Sequence, residues 1–435
     1  MYKRAIALAL LVCLLLTGCG TFVPAETEHP HTFGGWSIKI HTSCAKEGIE
    51  ERICTECKAA ETRPIAKLPH DLNVYNICKS CRYVEFDPDA DFAELGIFSN
   101  YYYTGNTVAN HAWDVKIWGD LVYRGAGDYD KNAGTAPILA FNKETQSWVQ
   151  MGVTADQAVH RFVEIGGTLY TPGIDPNEGW EQGNFYALED GKWKKTRNLP
   201  NGLHNFDMIE YDGKIFAGLG TETTKNTVAF SDDGGKTFRF APLYKDGKPF
   251  DATSYKFSRT YEFMEYNGQL YALVSLQMGF GSENAIFRYE DEKMVYVGNA
   301  YKISGGRVSR NYWNGKLEWK DVCYLTTTAL NAVTDFSNPD THKQIPMPNK
   351  ETVSDILLHN DELYVLSFQF TQEKTYDTVI YKSATGEEGS FTKVTSFNYA
   401  AAPMSFDFDG EHFYIGTGTC PTKSTGAGML LRVKA

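Results

Sequence analysis

A short turn recurs seven times along the chain, and an apolar or aromatic run follows most copies directly. Successive turns are 46 to 55 residues apart, and they begin at Gly119, Gly166, Asp212, Asn267, Asn314, Asn360 and Asp409. A period of about 40 to 50 residues with tight hairpin turns is typical of four-stranded propeller blades. The sequence therefore predicts an all-β fold, with a seven-bladed β-propeller over residues 93–435.

The last repeat is short, because the chain ends soon after its third strand at Val433. Blade seven would then lack a fourth strand and leave an open edge. We expect the run 95–103, which precedes blade one, to supply that strand and close the ring. The alternative is an N-terminal strand that packs on one face.

The N-terminus has a basic start and an apolar run over residues 5–16, which is too short for a stable transmembrane helix. The run ends in Leu-Thr-Gly-Cys19, which resembles a bacterial lipobox. The resemblance implies that residues 1–18 are a lipoprotein signal peptide and that Cys19 is lipidated, followed by a spacer over 19–30. An ordinary secretory signal with a chance cysteine is the alternative.

Processing at Cys19 would place the protein outside the cytoplasm, held at the bacterial cell membrane by acyl chains. The formal net charge of the chain is −12. Nucleic-acid binding requires a basic face that neutralises phosphates, so the acidic balance argues against a nucleic-acid partner. We expect a monomer.

Residues 31–84 form a cysteine-rich module with two C-x2-C pairs, Cys54/Cys57 and Cys78/Cys81. The 20 residues between the pairs match the spacing of a zinc ribbon. Two such knuckles complete a closed tetrahedral site, which is structural rather than catalytic. The spacing therefore predicts one structural zinc ion bound by all four thiolates.

The same module resembles the short Cys/His repeats of Gram-positive surface proteins, which combine a His-x-aromatic-x-x-Trp start with a C-x2-C pair and a closing His. It departs from them at Lys58, where glycine is usual, and the family has no defined activity to carry over. Two alternatives stay open. The cysteines of an exported protein could form disulfides, or His31 or His70 could replace one thiolate. Cys44 would be a spare thiol.

Polar side chains recur at two fixed positions before the turns. Carboxylates dominate five residues before the turn, and histidine or arginine stands three residues earlier in three repeats. The first strand of a blade lines the channel, so we expect these side chains to converge at one mouth and bind a cation or polar ligand, or act as acid and base. The alternative is that they tie blades together by buried hydrogen bonds. The candidate residues are His111, Asp114, His204, Asp207, Arg259, Glu262 and Asp355.

The hairpin Ser231-x-Asp233-x-Gly235-x-Thr237-Phe238 resembles the Asp-box of sialidases and related propellers. In that family the box is a structural turn. A sialidase also needs three arginines and a Tyr–Glu pair in its active site, and no arginine triad can be assigned here. The resemblance therefore implies the wider sialidase and kelch-like propeller group without the enzyme's activity.

We favour a lipid-anchored surface binding protein whose channel mouth binds a glycan, a peptide or a cell-wall component. Aromatic residues make up 14% of the chain, and tyrosine-rich loops commonly contact sugars and peptides. One alternative is an extracellular carbohydrate-active hydrolase or lyase that uses Asp114, Asp207 and the two histidines. Another is a scaffold for an envelope protein.

Overall fold

A computed structural model describes residues 30–97, 111–127, 135–221, 226–250, 255–278, 282–300, 315–338, 341–418 and 428–435. The chain divides into two compact units between Pro69 and His70. No α-helix occurs in these described ranges, as the strand-like patterning of the sequence predicts.

The first unit is a three-stranded antiparallel sheet of β1 (Ser37–Ile40), β2 (Gly48–Ile53) and β3 (Ala60–Ile65). The guanidinium of Arg52 lies over the rings of Phe33 and Trp36, 4.6 and 4.7 Å from their centroids. Within the described part of this unit, Cys54 is the one hydrophobic residue that is buried. Such a sheet has little apolar core with which to offset the conformational entropy lost on folding.

The strands of the second unit, in chain order, are as follows. The first fifteen are β4 (Phe92–Gly96), β5 (Val115–Trp118), β6 (Leu121–Arg124), β7 (Ala126–Gly127), β8 (Pro137–Asn142), β9 (Ser147–Val153), β10 (Asp156–Val159), β11 (Val163–Ile165), β12 (Thr168–Pro172), β13 (Ile174–Pro176), β14 (Gln182–Glu189), β15 (Lys192–Pro200), β16 (His204–Tyr211), β17 (Lys214–Thr221) and β18 (Val228–Ser231). The others are β19 (Arg239–Phe240), β20 (Leu243–Lys245), β21 (Lys248–Pro249), β22 (Tyr255–Tyr266), β23 (Gln269–Met278), β24 (Ser282–Glu290), β25 (Lys293–Asn299), β26 (Lys316–Trp319), β27 (Val322–Thr326), β28 (Leu330–Val333), β29 (Lys343–Ile345), β30 (Thr352–His359), β31 (Glu362–Phe370), β32 (Tyr376–Ser383), β33 (Thr392–Tyr399), β34 (Pro403–Phe408), β35 (His412–Thr417) and β36 (Leu430–Lys434).

Most of these strands form four-stranded antiparallel sheets. Among the described residues, five separate sheets have the orders β5-β6-β8-β9, β11-β12-β14-β15, β26-β27-β28-β29, β30-β31-β32-β33 and β34-β35-β36-β4. A thirteen-stranded sheet contains two further runs of this kind, β16-β17-β18-β19 and β22-β23-β24-β25. Numbered by the chain position of their first strands, they are sheets 1 to 7, with the two runs as sheets 3 and 4.

Neighbouring sheets are joined where the second strand of one meets the first strand of the next. The short strand β7 follows β6 of sheet 1, and β10 and β13 stand before β11 and after β12 of sheet 2. β7 pairs with β10, β10 with β13, β13 with β16, and β17 with β22, which links sheets 1 to 4. Single backbone hydrogen bonds make the same link elsewhere, from Val353 N–H to Thr328 O (3.1 Å) and from Ala112 N–H to Thr417 O (3.0 Å). We call the paired strands β7, β10 and β13, with the adjoining ends of β16, β17 and β22, the collar.

The hairpin turns between first and second strands lie on the side opposite the collar. Asp212, Asn267 and Asn360 begin turns with positive φ of 50° to 51°, as type I′ turns require. In sheet 5 this turn lies at Lys320 and Asp321, whose φ values of 53° and 59° give the same left-handed geometry without a glycine. The sequence predicted it at Asn314-Gly315, and Asn314 lies outside the described residues.

The last sheet is completed by an N-terminal strand, which confirms the predicted closing pairing. β4 pairs antiparallel with β36 and is the fourth strand of sheet 7. The strand begins at Phe92, before the predicted run, and residues 98–103 of that run lie outside the described residues. The edge that β36 would otherwise expose is therefore paired.

Apolar side chains fill the space between successive sheets. Between sheets 1 and 2, Tyr123 and Ile138 pack with Phe162 and Leu169. The segment after Pro69 joins this second unit as well, since Ile77 packs into the core formed with sheet 1. The cysteine spacing predicts that this segment belongs to the module of residues 31–84, whereas its contacts place it with the sheets that follow.

Candidate functional site

A β-bulge lies immediately before several of the predicted carboxylates. The ladder register shifts just before Asp207 in sheet 3, Glu262 in sheet 4 and Asp355 in sheet 6. A bulge adds one residue to a strand and re-aims the side chain that follows it. All three carboxylates contact the next sheet along the chain.

Three of the candidate carboxylates bind the backbone of that next sheet. Asp114, Asp207 and Asp355 each accept an N–H from a phenylalanine within, or directly before, its first strand. The N···O distances are 2.6 Å to Phe162, 2.7 Å to Phe263 and 3.0 Å to Phe406. These contacts satisfy backbone donors, as expected of ties between blades.

Four charged side chains from sheets 2 to 5 form one cluster around Asp207. Arg161 contacts Asp207 at 3.0 Å and grips Glu262 with both terminal nitrogens, one of them at 2.9 Å. Lys316 bonds to Asp207 and lies 3.1 Å from Glu262. The Asp207 and Glu262 side chains are 0% and 3% exposed, so each needs these cations to offset its desolvation.

The central carboxylates fall into two electrostatic classes. Burial opposes ionisation of Asp207, but Lys316 and Arg161 outweigh it and lower the pKa. Burial raises the pKa of Asp114 to about 6, against the opposing N–H of Phe162. Burial and the nearby Asp114 raise the pKa of Asp355 well above its usual value. Asp207 is thus held as an anion, whereas Asp114 and Asp355 retain their protons to a higher pH.

The two candidate histidines occupy equivalent places and lie against aromatic rings. The His111 ring is 4.9 Å from Trp113, and the His204 ring is 5.0 Å from Phe206. His204 is nearly buried and its Nδ1 lies 2.5 Å from an Asp175 carboxylate oxygen, an ion pair when the imidazole is protonated. The repeated His-x-x-Asp pattern therefore gives His204 a different acidic partner from the aspartate three residues later.

Arg259 is the remaining candidate, and it lies in the collar. It stands in β22 opposite Gly220 of β17, at the link between sheets 3 and 4. Gly220 is required here, since a Cβ would lie 2.6 Å from His204 Cδ2 and 2.9 Å from Phe206 Cε2. Arg259 and His204 thus flank the same end of β17.

A buried polar group in the collar was not predicted from the sequence. Asp156 of β10 accepts hydrogen bonds from Asn184 Nδ2 (2.9 Å) and the Tyr186 hydroxyl (2.5 Å). Burial raises the pKa of Asp156. A strand this short gives little periodic signal, and only its pairing with β7 and β13 places Asp156 in the collar.

The loop after β13 presents an exposed indole on the collar side. Trp180 is 58% exposed. The loop is fixed at both ends, because Asn177 N–H donates to Ala155 O (2.9 Å) and Glu181 O accepts Asn201 N–H (2.9 Å). An aromatic side chain on a fixed loop is presented to a ligand with little loss of entropy on binding.

The Asp-box hairpin is a self-contained turn. Asp233 accepts from Ser231 Oγ (2.7 Å), Thr237 N–H (2.9 Å) and Thr237 Oγ1 (2.7 Å). The Thr237 N–H and hydroxyl are the main cause of the lowered pKa of Asp233. These three hydrogen bonds all lie within the loop, as expected of a structural turn.

Each predicted cysteine pair lies beside a histidine in a Cys/His group that could hold a metal ion. In the first unit, His31 joins Cys54 and Cys57, and His31 Nδ1 lies 3.2 Å from Cys57 Sγ. The backbone N–H of Ala59 points at Cys57 Sγ (3.4 Å). No disulfide joins cysteines anywhere in the described part of the chain.

The second pair has its own histidine in the second unit. His70 Nδ1 lies 3.4 Å from Cys81 Sγ, and Cys78 belongs to the same group. Burial opposes ionisation of the Cys78 thiol, but N–H groups of Cys81 and Ser80 and the His70 side chain outweigh it and lower the pKa to about 6. Cysteine and neutral histidine are the ligand types of structural zinc sites.

The predicted lipidation site, Cys19, lies outside the described residues. None of the described segments contains a helix long and apolar enough to cross a membrane.

No protein-family model matches the chain, and no curated protein matches it. Among solved structures, it is similar to YCF48 bound to D1 peptide, with 11% identity and a TM-score of 0.42 over 82% of this chain and 97% of that chain. It is also similar to the β-propeller domain of the trilobed protease from Pyrococcus furiosus, with 11% identity and a TM-score of 0.40 over 70% and 91%. BamB from Moraxella catarrhalis is 10% identical, with a TM-score of 0.37 over 73% and 82%.

These neighbours are β-propeller proteins, and the described part of this chain is all β. The likeness concerns the fold alone, since function in such folds depends on the residues of the site.

Proposed function

We propose that this chain is a surface binding protein that holds a glycan, a peptide or a cell-wall component at the mouth surrounded by the collar. The binding domain is a seven-bladed β-propeller, with sheets 1 to 7 as its blades. In support, the links between sheets recur along the chain, and β4 completes the last sheet.

The observation that carries this proposal is the use of the central carboxylates. Asp114, Asp207 and Asp355 each bind a backbone N–H of the next sheet, and Glu262 is gripped by Arg161. A hydrolase or lyase would need a carboxylate within reach of its substrate, as acid, base or nucleophile. Groups committed to holding sheets together favour binding over that chemistry.

The ligand surface that we propose lies on the collar side. Trp180 supplies an exposed aromatic face, and Asp175 and Arg259, which are both partly exposed, supply polar groups along the collar. An aromatic face with a few fixed polar groups suits a sugar ring or an extended peptide. His111 lies in the equivalent place of sheet 1 and, like His204, is almost fully buried.

The N-terminal part attaches this domain to the cell. We assign Cys19 as the lipidated residue that anchors the protein to the outer side of the bacterial cell membrane. The Cys/His groups bind zinc, which supplies folding energy that the nearly coreless first unit lacks.

The test is a screen of the purified chain against glycan and peptidoglycan-fragment arrays and a peptide library, with turnover assays on every hit. We expect binding without turnover, and loss of binding in Trp180→Ala. The matched control is Phe370→Ala, an aromatic with 55% exposure at the end of β31. Equal loss in both variants, or turnover that Asp114→Asn abolishes, would overturn the proposal.

A further inference from the structure

The two C-x2-C knuckles have the same backbone geometry although they lie in different units. The residue after each second cysteine is left-handed, with φ of 64° at Lys58 and 65° at Arg82. Its N–H donates to the carbonyl of the first cysteine, at 3.1 Å for Cys54 and 3.0 Å for Cys78. Left-handed φ is uncommon outside glycine, so the coincidence indicates a shared turn rather than chance.

The similarity extends beyond the turn. The N–H of each first cysteine donates to the carbonyl five residues later, at 2.8 Å for Cys54 to Ala59 and 2.7 Å for Cys78 to Tyr83. These bonds fold the backbone around the two sulfurs of each pair. Both knuckles therefore present two thiols from one closed loop.

Each knuckle also has one histidine, and in both cases the same nitrogen faces the second sulfur. The Nδ1–Sγ distance is 3.2 Å for His31 and 3.4 Å for His70. Ligand atoms bound to one tetrahedral zinc are about 3.5 Å apart, given Zn–N and Zn–S bonds of about 2.0 to 2.3 Å. The observed distances are close to that spacing.

We propose that the protein binds two zinc ions, one at each knuckle, with His31, Cys54 and Cys57 on the first and His70, Cys78 and Cys81 on the second. The inference rests on the zinc binding proposed above and changes the number of ions and the ligands of each. Thiolate and imidazole donors in this combination favour zinc over calcium or magnesium, which prefer oxygen ligands.

The test uses the full chain purified without chelator. Elemental analysis should give about two equivalents of zinc, and Cys57→Ser or Cys81→Ser should each leave about one. His31→Ala and His70→Ala should weaken one ion each. The matched control is His41→Ala, an exposed histidine of the first unit that belongs to neither group, and it should keep both ions.

Cobalt substitution gives an independent readout, because the thiolate-to-cobalt charge-transfer band grows with the number of sulfurs on each ion. We expect two steps in a cobalt titration, with a band intensity per ion below that of four thiolates. A single equivalent in the wild-type chain that is lost completely in both cysteine variants, with a four-thiolate band, would overturn the two-ion proposal in favour of a shared site. Absence of metal, with the four thiols oxidised, would overturn zinc binding itself.

Discussion

Asp207 offers the sharpest test of the structural role of the central charges. In Asp207→Asn the amide can keep one acceptor oxygen for Phe263 N–H, which now lies 2.7 Å from the carboxylate. The same oxygen contacts Lys316, whereas the other oxygen, which contacts Arg161, becomes an NH2 group. The substitution thus removes an anion shared by two cations and places a donor against Arg161.

The loss of unfolding free energy in Asp207→Asn follows from the burial of the cluster. The Asp207 side chain is 0% exposed, and Arg161 and Lys316 are only 12% and 18% exposed. After the substitution these two cations share Glu262 alone, so the cluster carries an uncompensated charge away from water. Removing one partner from a buried ion pair costs about 3 to 5 kcal/mol of unfolding free energy.

The assay is denaturant unfolding at neutral pH, with Asp232→Asn as the matched control. Asp232 also pairs with an arginine, Arg239 at 2.9 Å, but on the surface. We expect a large shift of the unfolding midpoint for Asp207→Asn and little for Asp232→Asn, because exposed pairs are screened by water and salt. Equal midpoints in the two variants would refute the account of the cluster.

Three further outcomes can be checked. Because burial raises the pKa of Asp114 to about 6, the folded protein should lose about 3 kcal/mol of stability as pH rises from about 4 to about 6. Asp114→Asn should remove that loss in unfolding experiments across this pH range. Gly220→Ala should displace His204 and lower the melting temperature, since its Cβ would lie 2.6 Å from the ring; an unchanged melt would contradict the close approach. Cys19→Ala should abolish palmitate labelling and membrane fractionation, and unchanged labelling would exclude the lipobox.

The turns were the most predictable part of the fold, because their chemistry is local. Asp212-Gly213 and Asn267-Gly268 are where the sequence places them, since these residues tolerate left-handed φ. The fifth turn was missed because Asn314-Gly315 is the stronger sequence signal, whereas Lys320 adopts the geometry in the structure. Tertiary pairing of β26 with β27 decides the register there.

That one misplaced turn also hid a member of the central cluster. The predicted alignment left Lys316 outside the position of the carboxylates, so the partner of Asp207 and Glu262 was absent from the candidate residues. Arg161 stood at the right position, but its role depends on the neighbouring sheets. The spacing of residues in one sequence identifies equivalent positions. The contacts between sheets, however, depend on the bulges that re-aim the side chains at those positions.

The cysteine spacing predicted two knuckles but not their grouping. His31 precedes Cys54 by 23 residues and His70 precedes Cys78 by 8, so no common spacing relates histidine to knuckle. The histidines were weighed only as substitutes for a thiolate. The grouping becomes visible once the antiparallel bridge between Phe33 and Cys54 brings His31 to its own pair.

The central claim is that the buried carboxylates hold the blades while ligand binds on the collar side. It is tested most directly by titrating the strongest array hit into the folded fraction of Asp207→Asn. The account predicts a lowered unfolding midpoint with a Kd within about twofold of wild type, as expected when the substitution acts on stability alone. An unchanged midpoint with lost binding would contradict it and identify Asp207 as a ligand-binding residue.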